Sequence, residues 1–446
     1  MCDVCRLLYK AVEEDDVNSL QKCLHNFYDV ETKTTVLLAA VRSARHRCIR
    51  VLMTAGCDPV LKLNDTSAVQ CAIVQNDMKA LLLLVDQQLL DVDTKPVNNS
   101  CQRSWYDDQR HVDEALFVAS GLGSVEAVNV LLDCGANPNC CFYYDDEFLV
   151  TCSTLVAACL APLRRLAPEN AVTNAETVVC TLVNSGASVN RRCSTGMTPL
   201  HWAVKAALVR SLTLLVKSGA VVNAGRASDG MTPLMMAVEH DVAVVTALLS
   251  AGADVDAIDH VYYTALCHAV NAGNLPIAEY LLQQGANPDG CGLAVPFLTT
   301  TPLYLATSCG NRAMVVLLLK WGANLHQTVG TIPPRTAFQV ALSVSNFDLV
   351  HVFLAAGVDH AYTCKLVSEY IDDIRSNMPP QMTHLLSTDD RVRLQSLQNL
   401  LSELSQPQTL KQLCRVAIRR CTVDCMQLHK LPLPSALCSF LSFGDL

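Results

Sequence analysis

Aromatic residues are scarce in this chain of 446 residues: Phe, Trp and Tyr together make up 5%, although hydrophobic residues reach 51%. Large rings therefore cannot dominate a core, which has to be built from Ala, Val, Leu and Cys. Side chains of this size suit closely stacked helices. The chain is also longer than one hydrophobic core usually allows, so we expect several domains or a repeat array.

Long hydrophobic runs are missing as well. The run Ala80–Val85 in the N-terminal third is far shorter than the roughly 20 residues that span a bilayer. The first eleven residues contain no apolar core of a signal peptide. We therefore expect a soluble protein with no membrane association, cytoplasmic, with the nucleus as a second location.

Positive charge is in deficit. Lys and Arg number 33 against 42 Asp and Glu, a formal charge of -9, which argues against duplex nucleic acid as the main partner. One local exception stands early in the chain, where five basic residues cluster. They are Arg42, Arg45, His46, Arg47 and Arg50. This cluster is either a solvated face or a reader of acidic segments.

Patterns for metal binding and catalysis are also missing. Cys2 and Cys5 form a single C-x-x-C, and Cys421 with Cys425 a C-x-x-x-C, with no second pair at zinc-site spacing. The 22 cysteines are scattered, many at apolar helical positions, which favours free thiols in a reducing compartment. We expect no metal, no cofactor and no catalytic residue.

A repeat of 33 residues is present. Gly186, Gly219, Gly252 and Gly285 each stand in a similar tail, such as Ser-Gly-Ala-Ser-Val-Asn, and are 33 residues apart. A Thr-Pro-Leu motif, or a relative of it, opens the units at Thr198, Thr232, Thr264, Thr301 and Thr336. Thr can cap a first helix, Pro fits its first position, and Gly can end a second helix in the left-handed conformation. Since one helix pair cannot bury its apolar face alone, the units must stack.

These units resemble ankyrin repeats, most clearly from Gly230 to Asp256. The resemblance implies an all-α ankyrin-repeat α-solenoid of about ten repeats. Their starts lie near residues 4, 36, 66, 112, 152, 196, 230, 263, 299 and 335. It also implies that His201, after Thr-Pro-Leu, has a structural role between repeat loops.

Three segments break the period: 92–111, 140–151 and 162–174. The first two combine aromatic and acidic residues, and we interpret them as exposed loops. Because ankyrin loops and inner helices line the surface where partners bind, the resemblance makes their aromatics candidate substrate-binding residues. The candidates are Trp105, Tyr106, Tyr143 and Tyr144. The alternative is that both segments are merely variable connections.

The C-terminal region begins with a helical connecting segment, residues 361–405. A new helix is predicted after Pro407, in which Leu410, Leu413, Cys414, Ala417 and Ile418 occupy one arc of about 140°. This stripe could cap the end of the solenoid, and a membrane-surface helix is a weaker alternative. Farther on, the prolines of Leu431-Pro432-Leu433-Pro434 enforce an extended entry to a last helix.

Together the two patterns resemble a SOCS box, from about residue 407 to 443. By this resemblance three residues dock elongin C: Leu410, Cys414 and Ile418. Cullin-5 is selected by seven others: Leu431, Pro432, Leu433, Pro434, Leu437, Phe440 and Leu441. Two features depart from the family. Phe440 stands where Tyr is common, and the linker 421–425 lacks the usual glycine-bearing loop.

The domains are thus predicted as a repeat array over 1–360, a helical connection over 361–405 and a three-helix SOCS box over 406–446. The resemblance implies a non-catalytic adaptor of a ubiquitin ligase. Its repeats would bind a protein substrate, and its box would bind elongin B/C and cullin-5 with its RING subunit, so that the substrate is ubiquitinated and degraded. The alternative is an ankyrin scaffold whose C-terminal box only caps the solenoid.

Overall fold

The structure is a computed structural model that describes residues 3–24, 30–61, 63, 66–85, 105–144, 150–163, 169–290, 300–329, 335–358, 360–376 and 388–404. Helices dominate these residues, and two short antiparallel sheets accompany them. The predicted all-α ankyrin-repeat fold is confirmed. The number of repeats stays a prediction.

The helices of the described residues follow one another as short pairs. They are α1 (Asp3–Glu13), α2 (Val17–Leu24), α3 (Val30–Arg42), α4 (His46–Thr54), α5 (Ala68–Val74), α6 (Met78–Val85), α7 (Trp105–Leu122), α8 (Val125–Asp133), α9 (Thr154–Leu160), α10 (Ala171–Asn184), α11 (Pro199–Lys205), α12 (Val209–Lys217), α13 (Pro233–Ala237), α14 (Val242–Ser250), α15 (Ala265–Asn271), α16 (Leu275–Gln283), α17 (Pro302–Ser308), α18 (Arg312–Lys320), α19 (Ala337–Ser343), α20 (Phe347–Ala355), α21 (His360–Ser376) and α22 (Thr388–Leu404). A 3-10 turn spans Ala161–Leu163, and the strands are β1 (Cys141–Tyr144), β2 (Val150–Ser153), β3 (Thr328–Val329) and β4 (Arg335–Thr336).

The chain divides into two compact units. The first consists of residues 1–228 and 246–252, and the second of residues 229–245 and 253–446. In the first unit, α1, α3, α5, α7, α9 and α11 pack in succession as one layer, and α2, α4, α6, α8, α10 and α12 as another. In the second unit, α13, α15, α17 and α19 form one layer, while α16, α18 and α20 belong to the other. The core of each unit lies between its layers, as the shared apolar faces of the helices require.

The threonines of the Thr-Pro-Leu motif cap helices as predicted. The side chain of Thr232 accepts a hydrogen bond from the N–H of Met235 at 3.4 Å, and that of Thr301 accepts one from Tyr304 at 3.1 Å. Pro302 follows at the first helical position, where its missing N–H costs nothing. In α13 and α17 the motif threonine therefore satisfies a backbone N–H of the first helical turn that has no partner within the helix.

The glycine of the tail ends the second helix of a unit. Gly285 follows α16 with φ of +94°, and a Cβ added there would meet no atom within 4 Å. The backbone conformation, rather than a lack of space, therefore requires glycine at this position.

The last residue of the tail links neighbouring repeats. This residue stands four positions after the glycine of its tail. Its side-chain oxygen accepts a hydrogen bond from the backbone N–H of the residue two positions after the glycine of the next tail. The pairs are Asn139 with Ser188 (2.7 Å), Asn190 with Val221 (2.9 Å), Asp256 with Asn287 (2.9 Å) and Asp289 with Asn324 (2.7 Å). Only an acceptor oxygen is common to these bonds, so Asn and Asp are both suitable.

The predicted loop at 92–111 is wrong for the residues that the structure describes there. Trp105 and Tyr106 begin α7, which continues without interruption to Leu122. Val112, Leu116 and Ala119 are buried along one face of this helix at helical spacing, and the stretch from Trp105 to Ser120 contains no Pro and no Gly. The first helix of this repeat therefore begins about two turns before residue 112, where the repeat was predicted to start.

The aromatic segment after Cys140 is a strand rather than an irregular loop. β1 and β2 form an antiparallel pair in which Phe142 faces Cys152 and Tyr143 faces Thr151. Aromatic and β-branched residues favour this pairing. The connection between the two strands lies outside the described residues.

The segment predicted as helical after the repeats contains α21 and α22, which contact each other. Leu397 and Leu400 of α22 are each 3% exposed, and Val367 of α21 is fully buried. The limits of this segment as a domain remain a prediction.

Candidate partner-binding surfaces

The residues predicted to bind elongin C and cullin-5 all follow residue 404 and lie outside the described part of the chain. These are Leu410, Cys414 and Ile418, and the seven residues from Leu431 to Leu441. Their roles stay predictions.

The aromatic residues predicted to bind substrate lie on two elements of the first unit that contact each other. Trp105 and Tyr106 are in the first turn of α7, and Tyr143 and Tyr144 are in β1. The ring of Phe142 packs against that of Phe117 of α7, with centroids 5.5 Å apart. The β1–β2 hairpin is therefore anchored on the helix that begins with the other two aromatics. The side chains of the four candidates lie outside the description, and their substrate role stays a prediction.

Thiols surround the base of this hairpin. Cys140 donates to the backbone oxygen of Asp113 at 3.3 Å, and burial raises the pKa of its thiol to about 12. The pKa of Cys152 is also raised, by burial and by the neighbouring Cys193 and Cys141. These groups are protonated at neutral pH and pack as small hydrophobic side chains. Among the described residues, no three or more His, Cys, Asp or Glu converge as a metal site would require.

His201 lies within the N-terminal turn of α11. It is fully buried, and its Nδ1 accepts the N–H of Thr198 at 3.2 Å while lying 2.8 Å from the Thr198 hydroxyl. The lone pair of Nδ1 is therefore used in the cap of α11, as expected of a structural residue rather than a base.

The early basic cluster is divided between contacts within the fold and solvent. Arg45 donates from Nη2 to the backbone oxygen of Glu13 at 2.9 Å, and His46 Nε2 lies 2.7 Å from Asp77 Oδ2. Burial acts to raise the pKa of Asp77, but hydrogen bonds from Ala80 and His46 outweigh it and lower the pKa. Arg45 and His46 thus join neighbouring repeats, while Arg42 and Arg47 are exposed.

A pocket of about 360 Å³ lies beside this cluster in the first unit. Its walls come from α1, α3 and the segment before α5. They include Tyr9, Glu13, Thr35, Arg42, Ser43, Leu63 and Thr66. This volume is at the small end of the range found for ligand pockets. No sequence signal indicated the pocket, because its walls are three segments that only packing brings together.

Within the helices that the structure describes, none combines the length and the apolar character needed to cross a bilayer.

Comparison with known proteins identifies two modules. The family model for ankyrin repeats (three copies) matches residues 169–259 and 258–329, and the model for the SOCS box matches residues 406–442. The second match falls on the segment that contains the two C-terminal patterns.

Several curated proteins are similar over part of the chain. The protein ZDHHC13 of Danio rerio is 28% identical over 224 residues, which are 48% of this chain and 33% of that protein. Neurogenic locus notch homolog protein 1 of Xenopus laevis is 37% identical over 109 residues, 24% of this chain and 4% of its own length. The human protein of the same name is 34% identical over 126 residues, 28% of this chain and 5% of its own length.

The chain thus spans a third or less of the length of these relatives, and their similarity says nothing about the activity of a whole protein. The two family matches are more informative because they occur together, in the order repeats and then box. With its stacked helix pairs and its match to the SOCS box model after the repeats, the chain matches the ankyrin repeat and SOCS box protein family.

Proposed function

We propose that this protein is the substrate-recognition subunit of a cullin-RING ubiquitin ligase. Its ankyrin repeats bind a target protein, while its SOCS box recruits elongin B/C and cullin-5 with the RING subunit. The target is then ubiquitinated and degraded by the proteasome. The observation that carries this proposal is the presence of ankyrin repeats and a SOCS box in one chain.

The contribution of this chain to the reaction is proximity. Holding a lysine of the target near the charged ubiquitin carrier converts a bimolecular encounter into an effectively unimolecular one, which is worth several orders of magnitude in rate. The stacked repeats suit this task because their loops are joined by repeated hydrogen bonds, such as that from Val221 to Asn190. In this proposal no residue of the chain takes part in bond making.

The apolar stripe of Leu410, Cys414 and Ile418 is the proposed contact with elongin C. Their spacing of four residues puts them on one face of a helix. The segment Leu431–Pro434, together with Leu437, Phe440 and Leu441, is the proposed contact with cullin-5. Phe440 retains an aromatic ring where the family commonly has Tyr.

Co-purification with elongin B/C tests the proposal. The full chain is co-expressed with both elongins, as the unchanged protein and as Leu410→Ala with Cys414→Ala. Fully burying one Leu side chain contributes about 1.5–3 kcal/mol, so the double change should weaken binding at least tenfold to a hundredfold and abolish recovery of elongin C.

The matched control is Lys411→Ala with Gln412→Ala, on the same helix but outside the stripe. It should retain elongin C. A chain that ends at Gln406 should stay folded and lose elongin C. If the Leu410→Ala, Cys414→Ala protein recovers as much elongin C as the control, the docking surface is assigned wrongly and the C-terminal segment acts only as a cap.

A further inference from the structure

The second unit contains a loop with an exposed apolar tip. This loop, residues 254–263, precedes α15, and we refer to it as the 254–263 finger. Ile258 is 43% exposed and Val261 60% exposed, and Tyr262 beside them is partly exposed. Single exposed apolar residues are common on protein surfaces, but three within five residues at one loop tip suit a contact surface.

The finger is held in one conformation by a buried carboxylate. Asp259 is 5% exposed, and its Oδ1 accepts the N–H of Val261 at 2.9 Å and that of Tyr263 at 2.8 Å. Its Oδ2 lies 2.9 Å from Nε2 of His268 on α15, and the His268 ring makes an edge contact with Tyr263. The tip is therefore fixed to the helix behind it.

The backbone of the tip adopts a conformation that its sequence does not favour. Tyr262 has φ of +65°, in the left-handed region that bulky residues rarely occupy. Such strain persists where the surrounding bonds determine the conformation, as those of Asp259 do here. A tip that is already ordered loses little conformational entropy when a partner binds.

A neighbouring turn of the same unit completes the surface. The N–H of His260 donates to the backbone oxygen of Asp229 at 2.8 Å. A Cβ added to Gly230 would lie 2.6 Å from the His260 ring, so only glycine permits this close packing. The turn at Asp229 and the 254–263 finger are thus in direct contact.

The charge around the finger has one sign. Asp254 and Asp256 are exposed at its base, and Asp229 stands in the adjoining turn. The sequence has no Lys and no Arg between Arg226 and Arg312, and the acidic residues there are Asp229, Glu239, Asp241, Asp254, Asp256, Asp259, Glu279 and Asp289. These eight account for nearly all of the formal charge of -9, so the rest of the chain is close to neutral. A negative local field attracts cationic partners and repels anionic ones.

We propose that the 254–263 finger binds a positively charged protein segment in which Lys or Arg residues flank an apolar residue. The apolar residue contacts Ile258 and Val261, and the basic residues lie opposite Asp229, Asp254 and Asp256. The identification of this segment as part of a ubiquitination target rests on the proposed function; the binding itself does not. Nucleic acid is disfavoured by the same charge that favours the basic segment.

Selection from a phage library of random 12-residue peptides on the full chain tests the proposal. Enriched peptides should contain an excess of Lys and Arg around an apolar residue. A fluorescein-labelled copy of the most enriched peptide then serves as the probe, and its dissociation constant is measured by fluorescence anisotropy. Binding should weaken as NaCl rises from about 50 mM to about 500 mM, because salt screens exposed charges.

Two matched pairs of variants localise the probe. Ile258→Ser with Val261→Ser should weaken binding at least tenfold, whereas Val221→Ser with Val344→Ser, which alters equally exposed apolar residues, should leave it unchanged. Asp254→Asn with Asp256→Asn should weaken binding and flatten its salt dependence. Glu239→Gln with Glu279→Gln removes the same charge elsewhere and should have little effect.

Several outcomes would overturn the proposal: no enriched peptide, enriched peptides without basic residues, or a basic probe that binds the finger variants and their controls equally. Circular dichroism and thermal unfolding of each variant show whether it is folded. The finger variants should still recover elongin C. Failure of the elongin C test therefore bears on the proposed function alone, and failure of the peptide test on the finger alone.

Discussion

The carboxylate of Asp289 accepts the backbone N–H of Asn324 at 2.7 Å, across the boundary between two successive repeats. Burial raises the pKa of Asp289, and the bond from Asn324 lowers it without cancelling this effect. The same bond is made by an amide oxygen at Asn139 and Asn190 in the first unit. An uncharged acceptor therefore serves this position without the desolvation of a carboxylate.

The change Asp289→Asn should leave the protein at least as stable at pH 7. The pKa of Asp289 is higher in the folded than in the unfolded state, so the folded protein binds this proton more tightly. The contribution of this proton to the free energy of unfolding is present at low pH and is lost as the pH rises through the folded pKa. Asn keeps the acceptor and removes the charge. Urea unfolding should show that the difference in unfolding free energy between the Asn variant and the unchanged protein becomes smaller as the pH falls toward about 4.

The control is Asp289→Ala, which leaves the N–H of Asn324 without this acceptor and should cost about 1–3 kcal/mol of unfolding free energy. Equal stability of the Ala and Asn variants would mean that the bond to Asn324 contributes nothing.

Asp259→Ala should loosen the 254–263 finger. It removes the acceptor of the N–H groups of Val261 and Tyr263 and the partner of His268, at a cost of about 1–3 kcal/mol. Hydrogen exchange at Val261 and Tyr263 should accelerate with respect to α15. The carboxylate of Asp254 is exposed and accepts the N–H of Asp256 at 3.1 Å, and water can replace it there, so Asp254→Ala should change the unfolding free energy by less than about 0.5 kcal/mol. Unchanged exchange in the Asp259→Ala protein would show that the finger is held by other contacts.

Pro432→Ala with Pro434→Ala should reduce cullin-5 binding and retain elongin C. Both prolines restrict φ and favour the extended entry proposed to contact the cullin. Gel filtration of the purified complex with elongin B/C, mixed with cullin-5, measures the loss. The control is Ser435→Ala, which leaves both prolines in place. Loss of elongin C together with cullin-5 would contradict separate docking surfaces.

Three buried or half-buried thiols should resist alkylation in the folded protein. Burial raises the pKa of Cys140 and Cys159 to about 12, and burial together with the Asp15 carboxylate does the same for Cys48. At pH 8 the thiolate fraction of such groups is on the order of one in ten thousand. Iodoacetamide labelling followed by mass spectrometry should therefore miss these three in native protein and modify them in urea.

Exposed Cys134, Cys180 and Cys309 are the internal controls and should react at once. Rapid native labelling of Cys159 would show that its helix opens on the timescale of the reaction.

Sequence patterns predicted the repeat architecture well because its signals are local. Thr232 and Thr301 cap the helices they precede, and Gly285 has the left-handed backbone expected after a second helix. Each of these features depends on bonds within one turn of chain. The predicted loops at 92–111 and 140–151 were wrong over the residues that the structure describes there, since Trp105 to His111 belong to a helix and Cys141 to Tyr144 form a strand.

The candidate surfaces were harder to predict. The pocket beside Arg42 has walls from α1, α3 and the segment before α5, and no single stretch of sequence contains its pattern. No sequence pattern predicts the 254–263 finger, because Ile258, Val261 and Tyr262 have the composition of an ordinary loop. Their exposure depends on Asp259, whose bond to His268 spans nine residues and turns the loop around a buried carboxylate.

The sequence by itself determined the 33-residue period, the helix caps, the glycines that end helices and the SOCS box pattern. Each of these features depends on residues close together in the chain, whose conformational preferences act within a few helical turns. Only the tertiary structure decided which tail oxygen bonds to the next repeat, that Phe142 rests on Phe117, and that an apolar tip stands among carboxylates. Those relationships join residues brought together by stacking, and the stacking of helices is a property of the folded units rather than of any one segment.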